Sequence, residues 1–336
     1  MDVVPASAGF HCAVCGEFTR AKKKDVQYKC KSGTDACEIE REESASCKRC
    51  RFQSCTSSPE HSILASPSST PRPVMERLLR CYDTMCKVRA ANEVSHREDF
   101  HVFEGLFDIS KRTLIKATYE THLHDAKVFY TALFDFTAHA FDEFTTFSTP
   151  EQYQIVRNFH EMFGILSQTY RTLKFFPDQP RMAMTGIITY FDYDDAPEFF
   201  VGEHGNIEDA KKLIEDAVLP DAMLCRSLMQ EVNLTEEELV VMAGLELWDP
   251  NTMDFSNEVL EAFERNRQLL LGELHSYYRE VHHMDDYAAR IGKLHCLSVS
   301  YKPIITRFRE QFEMFRLLRV IDENNLVMQM YNMNLL

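Results

Sequence analysis

Between Cys30 and Cys55 the chain reads CKSGTDACEIEREESASCKRCRFQSC, which sets Cys30, Cys37, Cys47 and Cys50 at a C-x6-C-x9-C-x2-C spacing. Four thiolates so placed can fill the tetrahedral shell of a structural zinc ion, with the closing pair on one tight turn. Seven of the eleven cysteines lie between Cys12 and Cys55, so the clustering is a property of this region. Zinc is therefore the expected cofactor. The competing reading is a disulfide-stapled secreted module, and it fits poorly with the opening MDVVPASAGF. That opening has neither the basic nor the apolar region of a secretory leader, which favours reduced cysteines. The earlier pair Cys12 and Cys15 is a second metal candidate, but neither His11 nor Cys55 stands at a convincing spacing to complete it.

Charge is divided unevenly. Residues 1–55 hold ten Lys/Arg against eight Asp/Glu, whereas the whole chain has a net charge of -15. Contact with nucleic acid is thus expected from the head alone, through Arg20, Lys22, Lys23, Lys24, Lys48, Arg49 and Arg51 on DNA phosphates. A surplus of two positive charges is small for a free-standing DNA binder. The run around Lys22–Lys24 reads equally well as a solvated loop.

Residues 57–74 hold four of the twelve prolines and many serines, a composition that buries little and stays extended. They form the expected hinge; a plain linker is favoured over a phosphorylated one. From Met75 the pattern becomes helical. Leu78, Leu79, Tyr82 and Cys86 share one face, and Ala126, Phe129, Tyr130, Leu133, Phe136, Thr137 and Ala140 form a stripe within 122–144. Pro150 sits where a first helical turn favours it. Residues 182–193 read as a strand pair, and Thr235 with Glu238 as a capping box. Two long amphipathic helices are expected over 257–282 and 285–319, the second kinked near Pro303. No apolar run is long enough to span a membrane.

At two places the residues resemble a known family. CAVCGE followed by YKCKSGTDACEIEREESASCKRCRFQSC is similar to the DNA-binding domain of nuclear hormone receptors, especially the divergent nematode group; Cys47 to Cys55 is nearly the family's closing stretch. The first finger departs from it. The stretch that the family places between Glu17 and Phe18, carrying two zinc cysteines and the start of the base-reading helix, is absent. Residues 141–152 (FDEFTTFSTPEQ) with Ile155, Val156 and Arg157 resemble the ligand-binding domain of the same family, as do 233–250 and Glu273, Leu274, Tyr277 and Tyr278.

The resemblance implies a zinc-finger DNA-binding domain over 10–56, with its first finger incomplete, and a ligand-binding domain over 75–336. The fold class is then mostly α: a small four-cysteine zinc-finger module joined by a linker to an all-helical three-layer sandwich with a small β-hairpin. It further implies a nuclear transcription factor, with a coregulator groove marked by His139, Arg157 and Gln329. Gln329 stands where the family has a glutamate, so a weakened or altered coactivator switch is expected. A dimer surface is implied over 285–319, with Leu294, Leu297, Tyr301, Ile304, Ile305 and Phe308 as candidates. A lipophilic ligand would lie against Phe129, Leu133, Phe159, Met162, Phe163 and Leu166, which are apolar enough either to line a cavity or to fill one. The alternative is a receptor-like protein with defective DNA binding that acts through dimerisation and cofactor binding. Catalysis is not expected: there is no G-x-S-x-G, H-E-x-x-H or glycine-rich phosphate loop.

Overall fold

The computed structural model describes Cys30 and residues 71–95, 114–200, 205–249 and 255–321. The finger cysteines other than Cys30, the seven basic residues assigned to phosphates, and Gln329 lie outside the described residues.

Helix α1 (Pro73–Ser95) opens on a proline, whose missing N–H costs nothing in a first turn. The Glu273 carboxylate accepts the N–H groups of Val74 and Met75 at 3.1 and 2.7 Å, which satisfies donors that a helix start leaves over. Strand β1 (Ile115–Lys116) precedes α2 (Tyr119–Ala140), capped by Thr118 and Thr121. A 3-10 turn, Asp142–Thr146, leads into α3 (Thr149–Phe175), where Ser148 and Glu151 cap each other and Pro150 occupies the first turn. Strands β2 (Met182–Met184) and β3 (Thr189–Asp192) pair antiparallel, and β1 adds to β3 in parallel. The sequence pattern reveals the hairpin but not β1, because two residues carry no period.

Short α4 (Ala196–Phe199) is followed by α5 (Ile207–Leu213), which passes through one π turn (Ile214–Val218) into α6 (Leu219–Val232). Asn233 ends α6 at φ 50°, ψ 62°, a left-handed stop that asparagine tolerates. Thr235 and Glu238 form the expected capping box at the start of α7 (Glu236–Leu247). Helices α8 (Asn257–Glu280) and α9 (Ala288–Leu317) complete the described helices, α9 running through Pro303 as one element.

The helices stack in three layers. On one side α1 and α2 pack together and against the middle layer of α3, α7 and α8; on the other, α6 and α9 pack together and against α3. Between the layers Trp248 is fully buried, with Phe141 and Phe263 edge-on at 4.9 and 5.4 Å between ring centres. Burying such rings contributes on the order of 2 kcal/mol each.

Polar groups tie the layers where burial demands a partner. Glu238 of α7 accepts from the Tyr278 hydroxyl of α8 at 2.7 Å and from Arg290 Nε of α9 at 2.6 Å. Burial alone would raise the Glu238 pKa, but the Arg290 and Tyr278 bonds outweigh it and hold the carboxyl below its usual value.

The residues expected at a dimer surface are placed differently. Leu294, Leu297, Tyr301 and Ile304 are buried inside the subunit, and Ile305 and Phe308 pack half-buried against the same core. Tyr301 donates to the carbonyl of Cys225 at 2.8 Å, locking α9 to α6. The periodic face of α9 is apolar as expected, but α6 covers it. The outward apolar residues of α9 are Val299, Met314 and Leu317.

Candidate functional site

A cavity of about 330 Å³ lies among α1, α2, α3, the β2 strand, α6 and α9. That is the size of a small-ligand site. A second chamber of about 140 Å³ adjoins it, walled by Tyr119, Phe191, Phe199, Phe200, Phe312 and Phe315. His122, Gln168, Ala183, Thr185, Tyr193, Val218 and Phe312 line both, so the two form one divided space.

The larger chamber is unusually rich in charge for an interior. Arg89 from α1, Arg171 from α3 and Arg226 from α6 all reach its wall, and all three are buried. Arg226 gives its N–H groups to the carbonyls of Phe176 and Met182 at 2.6 and 3.1 Å. Arg171 Nε donates to the Gly186 carbonyl at 3.1 Å. The guanidinium of Arg89 lies 4.6 Å from the centre of the Phe129 ring, a cation–π contact. Burial and the neighbouring Arg171 charge lower the Arg89 pKa, and Glu93 acts against them. Desolvation pushes the His122 ring down to about 4, so it is neutral at pH 7.

Of the six residues expected to line a pocket, only Phe129 does so. Leu133, Phe159, Met162, Phe163 and Leu166 are buried in the core instead. The reason is helical phase. On α3, His160, Gly164, Gln168 and Arg171 face the cavity, while Phe159 and Phe163 turn to stack on Phe136 of α2 at 6.4 and 5.8 Å. Sequence reasoning misses the cavity's arginines because charged residues are normally read as a solvated face. The usable signal is Arg89 continuing the stripe of Tyr82 and Cys86, which a purely exposed arginine would break.

His139 is exposed near the end of α2, its ring nitrogen 2.7 Å from the Asp135 carbonyl, and Arg157 is half-buried on α3. A Phe134–Tyr153 stack at 6.2 Å joins the same two helices. Among the described residues no cluster suits a metal ion. Cys30 is the one described member of the thiolate set expected to hold zinc, and four such soft anionic donors suit that ion.

Comparison with known proteins decides the family. Residues 131–318, more than half of the chain, match the model for the ligand-binding domain of nuclear hormone receptor. The chain belongs to the nuclear hormone receptor family. Residues 6–59 match the double treble clef zinc finger, C4 type, so the receptor carries both parts and binds zinc through the first. Nuclear hormone receptor family member nhr-16 of Caenorhabditis elegans is 20% identical over 361 residues, spanning 92% of this chain and 89% of its own. Family member nhr-43 of the same organism is 24% identical over 170 residues, 48% of this chain and 37% of its own. The ultraspiracle ligand binding domain from Drosophila melanogaster is 13% identical, with a TM-score of 0.46, covering 76% of this chain and 95% of that one. As a family member this receptor is a transcription factor, not an enzyme. DNA, a second receptor chain and a ligand are the classes of partner such domains take. No helix among the described residues is long and apolar enough to cross a membrane.

Proposed function

We propose that this receptor is a nuclear, ligand-regulated transcription factor whose ligand occupies the divided cavity. The observation that carries the reading is the cavity itself. Most of its lining falls inside the stretch matched to ligand binding, with apolar rings in one chamber and buried hydrogen-bonding groups in the other. Cys30, Cys37, Cys47 and Cys50 hold one structural zinc ion, which supplies folding free energy to the finger region rather than a reaction step. Arg20, Lys22, Lys23, Lys24, Lys48, Arg49 and Arg51 contact phosphates. Coregulators dock over His139, Arg157 and Gln329, and a receptor partner packs on the outward face of α9.

The domain division at 10–56, 57–74 and 75–336 belongs to the same proposal. A second reading, in which action passes mainly through protein partners, is favoured by the shortened stretch after Glu17. That stretch leaves phosphate contacts in place but few side chains for base edges.

The cavity is tested with the full chain and a panel of uncharged and acidic lipophilic compounds in a thermal unfolding assay. A ligand that binds only the folded state raises the midpoint. Gly164→Phe would place a ring in the cavity, because a Cβ at Gly164 already meets the Phe129 ring at 3.7 Å. It should abolish the rise. If no compound moves the midpoint, the ligand reading is wrong.

A further inference from the structure

Helix α9 ends in a turn that sends the chain back into the core. Arg319 stands at φ 58°, in the left-handed region. The N–H groups of Arg319 and Val320 donate to the carbonyls of Arg316 and Phe315 at 2.9 and 3.2 Å. These two bonds make a Schellman stop, whose left-handed position usually takes glycine because a side chain is strained there. The chain then sinks at once: Val320 is fully buried and Ile321 nearly so, both in the apolar cluster that holds Tyr119, Phe200 and Ala210.

A close approach of backbone holds the strained residue. Gly205 stands at φ 136°, and a Cβ on it would run into the carbonyl oxygens of Arg319 and Leu318, the latter at 2.8 Å. Beside it, Asn206 gives its backbone N–H to the Leu318 carbonyl at 3.1 Å, and its side chain caps the start of α5. The end of α9 is thus seated on the residues that open α5.

Ile321 is also part of the wall of the aromatic chamber. Tyr119 and Leu123 of that wall sit on α2, Gln168 on α3, Phe191 on β3, and Phe312 and Phe315 on α9 itself. Each of those belongs to a hydrogen-bonded helix or strand, whereas Ile321 lies beyond the last turn of α9 and belongs to neither. A structure opens first where the fewest backbone bonds resist.

We propose that the aromatic chamber opens at this turn: Val320 and Ile321 move out when Arg319 leaves the left-handed region, and Gly205 is the catch that keeps it there. The opening is the route by which a ligand enters, so the inference rests on the reading that the chamber takes one. Closing buries two aliphatic side chains and makes the backbone bonds at Leu318, Arg319 and Val320, while opening relieves the strain at Arg319. Terms so opposed allow a local opening that leaves the rest of the domain folded.

The test needs no ligand, so its failure is distinct from failure of the ligand reading. Hydrogen exchange of the full, zinc-loaded chain, read by mass spectrometry, follows residues 318–321, and hydroxyl-radical footprinting follows the rings of Phe200, Phe312 and Phe315. Gly205→Ala should speed exchange at 318–321 at least about tenfold and raise labelling of the rings, with α7 and α8 unchanged. Arg319→Gly removes the strain and should slow the same exchange about threefold. Gly292→Ala, on α9 where a Cβ meets nothing within 4 Å, should speed neither. Should Gly205→Ala not fold, the slowing in Arg319→Gly decides. Unchanged exchange in Gly205→Ala, an equal rise across α7 and α8, or faster exchange in Arg319→Gly overturns the catch. Faster exchange at 318–321 with no added labelling of the rings overturns the opening of the chamber at this turn.

Discussion

Glu93, near the end of α1, takes the backbone N–H of Ile187 with both of its carboxylate oxygens at 2.8 Å. The same carboxylate accepts from Ile188, so one side chain satisfies two buried donors in the turn between β2 and β3. Neighbouring Gly186 leaves room for it: a Cβ there would come within 2.7 Å of the Glu93 carboxyl and 2.3 Å of Thr189 Oγ1. The first helix and the sheet, joined here across 94 residues of chain, are thereby one unit.

Glu93→Ala should therefore cost about 3 kcal/mol, because two buried N–H groups lose their acceptor and Arg89 loses a nearby negative charge. Gly186→Ala should also destabilise the fold. Urea unfolding measures both; a loss under about 0.5 kcal/mol, the scale of an inert surface change, contradicts the account.

Arg290→Met removes the cation from a buried carboxylate and should cost about 3–5 kcal/mol, since breaking one partner of a buried pair strands the other. The folded-state pKa of Glu238 lies below its ordinary value, so the stabilisation is full at neutral pH and is lost as acid protonates it. The variant should lose stability chiefly at neutral pH and converge on the parent in acid. A deficit that persists unchanged in acid would show that Arg290 acts by packing alone.

His122 provides a separate pH window. Its pKa falls from 6.5 to about 4 on folding, because its ring is desolvated. Between those values the unfolded chain takes up a proton that the folded chain refuses, so stability must fall as pH drops from about 6.5 to 4. His160, also lowered first by its burial, contributes in the same direction. His122→Gln should reduce the slope of stability against pH by up to one proton. An unchanged slope would contradict the assignment.

Much of the fold is legible in residue periodicity. The capping pair Thr235 and Glu238, Pro150 in a first turn and the strands within 182–193 are local signals, and local geometry honours them. What fails is assigning apolar faces to neighbours. Tyr301 and Leu297 look like surplus apolar area on α9 but are covered by the same subunit, and Phe159 and Phe163 look like pocket walls but fill the core. Which helix covers which stripe depends on contacts far apart in sequence. Arg89 is legible only in part: its spacing to Tyr82, Cys86 and Glu93 puts it on the buried stripe of α1, but its contact with Phe129 of α2 follows no spacing rule.

The most direct measurement of the central claim, a zinc-dependent DNA-binding receptor, is fluorescence anisotropy of the full chain on a labelled duplex. It compares the zinc-loaded protein, the chelator-stripped protein and Cys47→Ala between about 50 and 200 mM salt. Binding should need zinc, vanish in Cys47→Ala, and fall linearly on a log–log salt plot. On the proposed shortening of the first finger, a six-base half-site should exceed scrambled DNA by less than about a hundredfold, roughly 2.7 kcal/mol. DNA binding that survives both zinc removal and Cys47→Ala would contradict the account.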